Sequence, residues 1–250
     1  MNYGSEAARP PVFIGITTQS RDEQTERFAL RMLYVDAVRA VGGVPVLLPP
    51  GETHLERLFS RLDGLILSGG GDIDPTHYGQ PRHPTNYLID RERDTFEIHL
   101  AHLAVQHQLP TLGICRGAQI LGVAHGSALV PHIPDVFQGN VQHWGRIEGE
   151  HLVFTEHPVA VEPDSRLGEA IGVPTFVVPS LHHQAVQQVP AGWRVAARAA
   201  DGVIESFEHC THPWMVAVQW HPEAAYTYEP QCRLFTALAQ AARQHRHGRN

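Results

Sequence analysis

The 250-residue sequence is poor in cysteine: Cys115, Cys210 and Cys232 are its three. An odd, small number argues against a disulfide framework and for a reducing compartment. Basic charge is also in deficit. Lys+Arg number 19 against 26 Asp+Glu, a net charge of -7, which argues against nucleic acid or an anionic membrane as a partner. No run approaches the roughly 18 apolar residues that a membrane-spanning helix needs. The first ten residues lack the charged and then apolar regions of a secretory leader. The expectation is a soluble cytoplasmic protein. Repeats and low-complexity linkers are missing too, so one domain over residues 1–250 is expected, with frayed ends at 1–9 and 245–250. Hydrophobic residues at 42% and charged residues at 18% leave ample material for a core.

What is present is a strand–helix alternation. Short apolar runs at Val12–Thr18, Val44–Leu48, Gly64–Leu67 and Thr111–Ile114 read as buried strands. Between and after them, helical spacing covers Glu23–Val41, His54–Leu62, Asp94–His107 (with Asp94 as a candidate cap) and a helix opening at Ala118. Such units predict an α/β fold, a mostly parallel central sheet with helices on both faces. The second half reads differently. Residues 130–144, rich in His, Pro, Gly and Asn, suggest a long surface connection. Strand-like runs then follow at Leu152–Phe154, Phe176–Val178, Trp193–Arg198, Val203–Phe207 and Met215–Trp220. Asp201-Gly202 is a hairpin signal, so a small antiparallel extension is expected before a last helix at Gln231–Ala242. Trp193, Trp214 and Trp220 read as core anchors.

Three segments carry chemistry. Gly113-Ile114-Cys115-Arg116-Gly117 lies between an apolar strand and a helix, the sulfur counterpart of the G-x-S-x-G nucleophile elbow. A sharp turn there exposes the central side chain, and the following helix start offers free N–H groups that favour a thiolate and an oxyanion. A lone cysteine is more often a small buried hydrophobe; the five-residue pattern reverses that preference. His221-Pro222-Glu223 follows the apolar run Met215–Trp220. On an extended chain residues two apart share a side, so His221 and Glu223 can both face a crevice at the sheet's carboxyl end, with one as base and the other as its orienter. The third segment is Ser68-Gly69-Gly70-Gly71-Asp72-Ile73-Asp74-Pro75, whose glycines can turn backbone N–H groups toward developing negative charge. A phosphate loop is disfavoured, because GxxxxGK[ST] and GxGxxG are both missing and two aspartates follow.

Together SGGGDIDP (Ser68–Pro75), GICRGAQ (Gly113–Gln119), SLHHQAV (Ser180–Val186) and VQWHPE (Val218–Glu223) resemble the class I glutamine amidotransferase-like superfamily, with its flavodoxin-like sheet. Within it the sequence looks most like the peptidase C26 group of stand-alone γ-glutamyl hydrolases, in particular the γ-glutamyl-γ-aminobutyrate hydrolases of polyamine (putrescine) breakdown. The resemblance implies Cys115 as nucleophile, His221 as general base and then acid, Glu223 as orienter, and an oxyanion hole from the backbone N–H groups of Gly70 (or Gly71) and Arg116. Gln119, Ser180 and His182 match motif positions near the substrate in relatives. Arg93 is a candidate for a substrate carboxylate, although Arg91, Glu92 and Arg93 also read as solvated charges at a helix start. The implied reaction needs no cofactor, and the implied partner is a small γ-glutamyl amide; a homodimer is compatible with this reading. The stretch Gly79–Asp90 matches nothing firmly and is a candidate for selecting the leaving amine. The alternatives are a glutaminase component passing ammonia to a synthetase, and a folate γ-glutamyl hydrolase.

Histidine is the compositional outlier, at 18 residues. His182-His183, His209, His212, His245 and His247 could in principle ligate a metal. However, neither H-E-x-x-H nor paired C-x-x-C is present, and adjacent histidines on a strand point opposite ways. The expectation is that no metal is required. A catalytically inactive binding relative is disfavoured by the intact Cys, His and Glu.

Overall fold

The computed structural model describes residues 10–19, 21–22, 26–148 and 151–249. Nine strands form the main sheet: β1 (Val12–Thr17), β2 (Gly43–Leu48), β3 (Gly64–Leu67), β4 (Thr111–Ile114), β5 (Thr155–Val161), β6 (Thr175–Ser180), β7 (Trp193–Ala199), β8 (Ile204–His209) and β9 (Met215–Val218). Their order is β6-β5-β7-β8-β9-β4-β3-β1-β2. From β9 to β2 every neighbour is parallel; from β9 to β6 every neighbour is antiparallel. The antiparallel half therefore continues the parallel sheet edge to edge.

The parallel strands are apolar on both faces, as a sheet covered on both sides requires. Val12, Ile14 and Ile16 of β1, Leu112 and Ile114 of β4, and Val216 and Val218 of β9 join one core. That core also takes residues from α1 (Met32–Ala40), α6 (Arg166–Ile171) and α7 (Glu229–Arg249). Leu65 and Leu67 of β3, with Met215 and Ala217 of β9, join the opposite core. Its helical contributors are α2 (Leu55–Phe59), α3 (Arg91–Gln106) and α4 (Arg116–Ala124); the short α5 (Ile133–Val136) lies in the connection after α4. Trp193, Trp214 and Trp220 are buried in these cores, as expected.

Four boundaries differ from expectation. The first helix begins at Met32, not Glu23, because Arg21–Asp22 and Arg27–Phe28 pair as a short antiparallel hairpin. Asp90, not Asp94, caps α3 by accepting from the N–H groups of Glu92 and Arg93. Strand β5 is additional, and its Pro158 pairs opposite Val177 without an N–H to give. The last helix runs on through residues 245–249, where fraying is expected from the sequence; residues 1–9 lie outside the described residues. The turn at Asp201-Gly202 forms as the sequence predicts, with Gly202 at φ 94° joining β7 to β8.

Candidate active site

At the carboxyl end of β4 the chain turns within one residue into α4, and Cys115 sits at that turn as the N-cap. Its φ of 52° and ψ of -107° are outside the regions open to an unstrained non-glycine residue, a cost of order 1–3 kcal/mol. Neighbouring contacts enforce the bend. The Cys115 N–H donates to the Val218 carbonyl at 2.8 Å, while its own carbonyl accepts from Ala118 and Gln119. A Cβ on Gly117 would lie 2.0 Å from the Leu67 carbonyl oxygen, so only glycine lets α4 start this close to β3. The N–H of Arg116, first residue of α4, has no acceptor within its helix.

The next strand over supplies the imidazole. After β9 the chain enters a single 3-10 turn at Pro222–Ala225. His221 and Glu223 therefore meet through that turn rather than along an extended strand; Pro222 at its first position starts it. His221 Nδ1 donates to Glu223 Oε1 at 2.7 Å. Both residues are buried. Burial alone would lower the His221 pKa, but the Glu223 carboxylate and the Cys115 sulfur outweigh it by charge and hydrogen bonding and raise it to about 10. The imidazole is thus held as a cation beside the sulfur across the neutral range. The Cys115 Sγ also lies 4.0 Å from the Leu181 carbonyl.

Residues 68–71 pass over the same spot. The Gly69 N–H donates to the Tyr34 phenol oxygen at 2.9 Å, and a Cβ there would lie 3.0 Å from His221 Cε1. Burial first, then the Glu223 charge, raises the Tyr34 pKa well above its ordinary value, so the phenol stays neutral. A Cβ on Gly71 would come 2.4 Å from the Leu88 carbonyl oxygen. That close approach seats Tyr87 and Leu88 beside the loop, held further by Asp72, which accepts from Asn86 Nδ2 and Tyr87 N–H and whose own N–H donates to the Tyr87 carbonyl. A pocket of about 140 Å³ lies between Cys115, His221, Gly69 to Gly71, Tyr34, Arg31 and Leu181, with Tyr87 and Leu88 on its wall. Part of the unmatched stretch Gly79–Asp90 is thereby at the pocket. A larger cavity of about 650 Å³ shares Tyr87 with it.

Four expected substrate residues fall elsewhere. Arg93 is buried, not solvated; it donates to Glu97 Oε1 at 2.9 Å and to the Ser68 and Gly69 carbonyls. Gln119 donates to the Gln184 carbonyl and Gln219 Oε1. Ser180 Oγ donates to the His143 carbonyl at 2.9 Å. None of these three, nor His182, lines the pocket beside Cys115; Arg93, Gln119 and Ser180 are engaged by protein groups, and His182 lines the larger cavity instead. Arg31 is the residue sequence reasoning missed: it lines the pocket, and its Nη1 is buried without a hydrogen-bond partner. A lone arginine just before a helix carries no motif that could have singled it out.

A model of the peptidase C26 family matches residues 12–223. The chain belongs to the peptidase C26 family. As a member it shares the glutamine amidotransferase-like hydrolase framework. A Mycobacterium tuberculosis protein whose name proposes a glutamine amidotransferase is 42% identical over 84% of this chain and 66% of its own length. The γ-glutamyl-γ-aminobutyrate hydrolase PuuD of Escherichia coli K12 is 31% identical, covering 78% of each chain. A solved Thermoplasma acidophilum structure, of a proposed component of GMP synthase, shares the fold at a TM-score of 0.64 and 19% identity, covering 96% of this C26 chain and 98% of that one. Among the described residues no helix is long and apolar enough to cross a membrane.

Proposed function

We propose that this C26 member is a cysteine-dependent γ-glutamyl amide hydrolase acting on 4-(γ-glutamylamino)butanoate or a closely similar amide. The observation that carries the reading is Cys115, strained at a helix start and facing a pocket with a Glu223-bound imidazolium beside it. In the proposed cycle the Cys115 thiolate attacks the γ-carbonyl carbon and a C–S bond forms. The oxyanion is received by the N–H groups of Arg116 and of Gly70 or Gly71. His221 gives its proton to the amine as the C–N bond breaks, leaving a γ-glutamyl thioester. Water then loses a proton to His221 and attacks; the C–S bond breaks, glutamate leaves, and the thiolate–imidazolium pair is restored. Glu223 holds the imidazole by Nδ1 so that Nε2 carries the transferred proton. Arg31 is the proposed receiver of the glutamyl α-carboxylate, since a buried, unpartnered guanidinium nitrogen on the pocket wall calls for an anion. Tyr87 and Leu88 would contact the leaving amine.

The relatives' names divide between hydrolase and amidotransferase, and the mycobacterial name favours the second reading, a glutaminase that hands ammonia to a partner. A panel of glutamine, γ-glutamyl-aminobutyrate, γ-glutamyl-putrescine and folate polyglutamate, assayed for released glutamate, decides. Preference for γ-glutamyl-aminobutyrate supports the proposal and a place in polyamine breakdown. Preference for glutamine replaces it with the amidotransferase reading, and preference for the folate substrate with folate hydrolysis.

A further inference from the structure

Four buried side chains converge behind the pocket: His143 from the connection after α5, His157 from β5, His182 just beyond β6, and Glu205 from β8. Each offers one ligand atom, and the four atoms lie within 4.8 Å of one another. His143 Nδ1, His157 Nε2, His182 Nε2 and both oxygens of Glu205 are buried without a hydrogen-bond partner. In a folded chain such groups are nearly always satisfied, and here five orphans face one point.

The outer nitrogens explain why. His143 Nε2 lies 2.8 Å from Asp201 Oδ2, His182 Nδ1 lies 2.9 Å from the Gln184 carbonyl, and His157 Nδ1 lies 3.3 Å from the Pro158 carbonyl. Each of these partners can only accept, so each outer nitrogen carries the proton. Although burial works against it, Glu205 and Asp201 raise the His143 pKa, so a proton on Nδ1 can pair this ring with Glu205 when no metal is bound; each ring without that second proton turns a bare lone pair inward. Inward lone pairs and a carboxylate, buried with His143 and His182 on the wall of the larger cavity, repel one another unless a cation, a proton or a metal ion, sits among them. Outer nitrogens anchored on a carboxylate or carbonyl are also how metal-bound imidazoles are oriented.

The spacing suits a particular ion. Zinc bonds imidazole nitrogen and carboxylate oxygen at about 2.0–2.2 Å in a tetrahedron, which sets ligand atoms roughly 3.3–3.5 Å apart. From Glu205 Oε1 the distances are 3.0 Å to His143 Nδ1, 3.5 Å to His157 Nε2 and 3.5 Å to His182 Nε2. We propose that His143, His157, His182 and Glu205 form a closed, tetrahedral zinc site that ties β5, β8, the end of β6 and the connection after α5 together. With four protein ligands it is a structural site, with no position left for substrate. It would also fix the Ser180-Leu181-His182 segment, whose Leu181 carbonyl faces Cys115 Sγ. Of the histidines singled out by local spacing, only His182 belongs to it.

The test loads the full chain with Zn²⁺, removes excess by desalting against a weak chelator, and measures retained metal by mass spectrometry. About one zinc per chain is expected, with a Tm several degrees above that of the chelator-stripped chain. Co²⁺ in its place should show the intense visible absorption of a tetrahedral N/O site. His157→Gln and Glu205→Gln, each checked for folding by circular dichroism, should retain less than a tenth of the wild-type metal and lose the Tm shift. A folded wild type that keeps no metal overturns the proposal. So does equal retention in folded variants, or a six-coordinate Co²⁺ spectrum.

Discussion

Two buried polar clusters flank the pocket, and they resolve the same physical problem differently. On the glycine-loop side, Arg93 and Arg116 meet Glu97 and Asp94, all buried. Arg116 donates to both carboxylates, Arg93 donates to Glu97 and the loop carbonyls, and the Asp74 N–H donates to Asp94. Two cations neutralise two anions; although burial pushes the Glu97 pKa up, Arg116 and Arg93 together hold it below its usual range. On the antiparallel side, three imidazoles and Glu205 converge, and none of their inward atoms has a hydrogen-bond partner. The first cluster is complete within the chain and braces the loop that carries Gly69 to Gly71. In the second, the proposed zinc would take the place of the missing partner. A buried polar group is informative chiefly when its partner is missing.

The largest expected effect lies in neither cluster but in the pocket between them. Cys115→Ala should lower turnover by at least about 10³-fold, with unchanged circular dichroism and substrate binding still measurable. His221→Ala should fall nearly as far, and Glu223→Gln less far, because it disturbs orientation more than proton transfer; kinetics in the reverse order would contradict the assigned roles.

Contrasting the clusters directly, Glu97→Gln strands two guanidiniums with one carboxylate and should cost about 3–5 kcal/mol in denaturant unfolding. That loss should be the same with and without chelator. The corresponding loss in Glu205→Gln should be much larger in zinc-loaded protein than in stripped protein. Equal chelator dependence for the two variants would erase the distinction drawn between them.

Smaller effects should appear at the pocket wall. Arg31→Met should raise KM roughly 10- to 100-fold, the equivalent of about 1.5–3 kcal/mol for one charged hydrogen bond, and change kcat much less. A kcat loss with KM intact would remove Arg31 from substrate binding. The smallest effect is a displaced pH limb. Because the His221 pKa is raised to about 10, the imidazolium form persists through neutral pH, and kcat/KM should decline only as pH approaches 10. Glu223 is among the groups that raise it, so Glu223→Gln should move that limb to lower pH. The same sign applies to stability: His221 favours the folded chain fully below its unfolded pKa near 6.5, and this contribution fades as pH rises toward 10.

How much is legible in the sequence follows from how local each signal is. The elbow can be read because Gly113, Cys115 and Gly117 fall within five residues and the glycines answer contacts with β3 and α4. The parallel strands can be read because burial on both faces leaves short continuous apolar runs. Strand β5 cannot: Thr155–Val161 alternates exposed and buried residues around a proline, and only its neighbours β6 and β7 make it a strand. Apolar spacing overextends helix α1 because Phe28 and Leu30 continue its pattern, although Phe28 is exposed on the hairpin. The histidine cluster is illegible for a plainer reason. Its members, at 143, 157, 182 and 205, come from four segments that only the antiparallel half of the sheet brings together, so no spacing betrays them. Gln119 and Ser180 show the converse case: each sits in a motif near the pocket, yet its side chain bonds to protein groups, as does that of Arg93 at the start of α3.

The most direct test of the account mixes the chain with γ-glutamyl-aminobutyrate, quenches in acid within a single turnover, and maps the product by mass spectrometry. The expected product is a glutamyl group bonded through sulfur to Cys115, forming no slower than glutamate appears. Glutamate released with no adduct on Cys115, or an adduct on another residue, would contradict it.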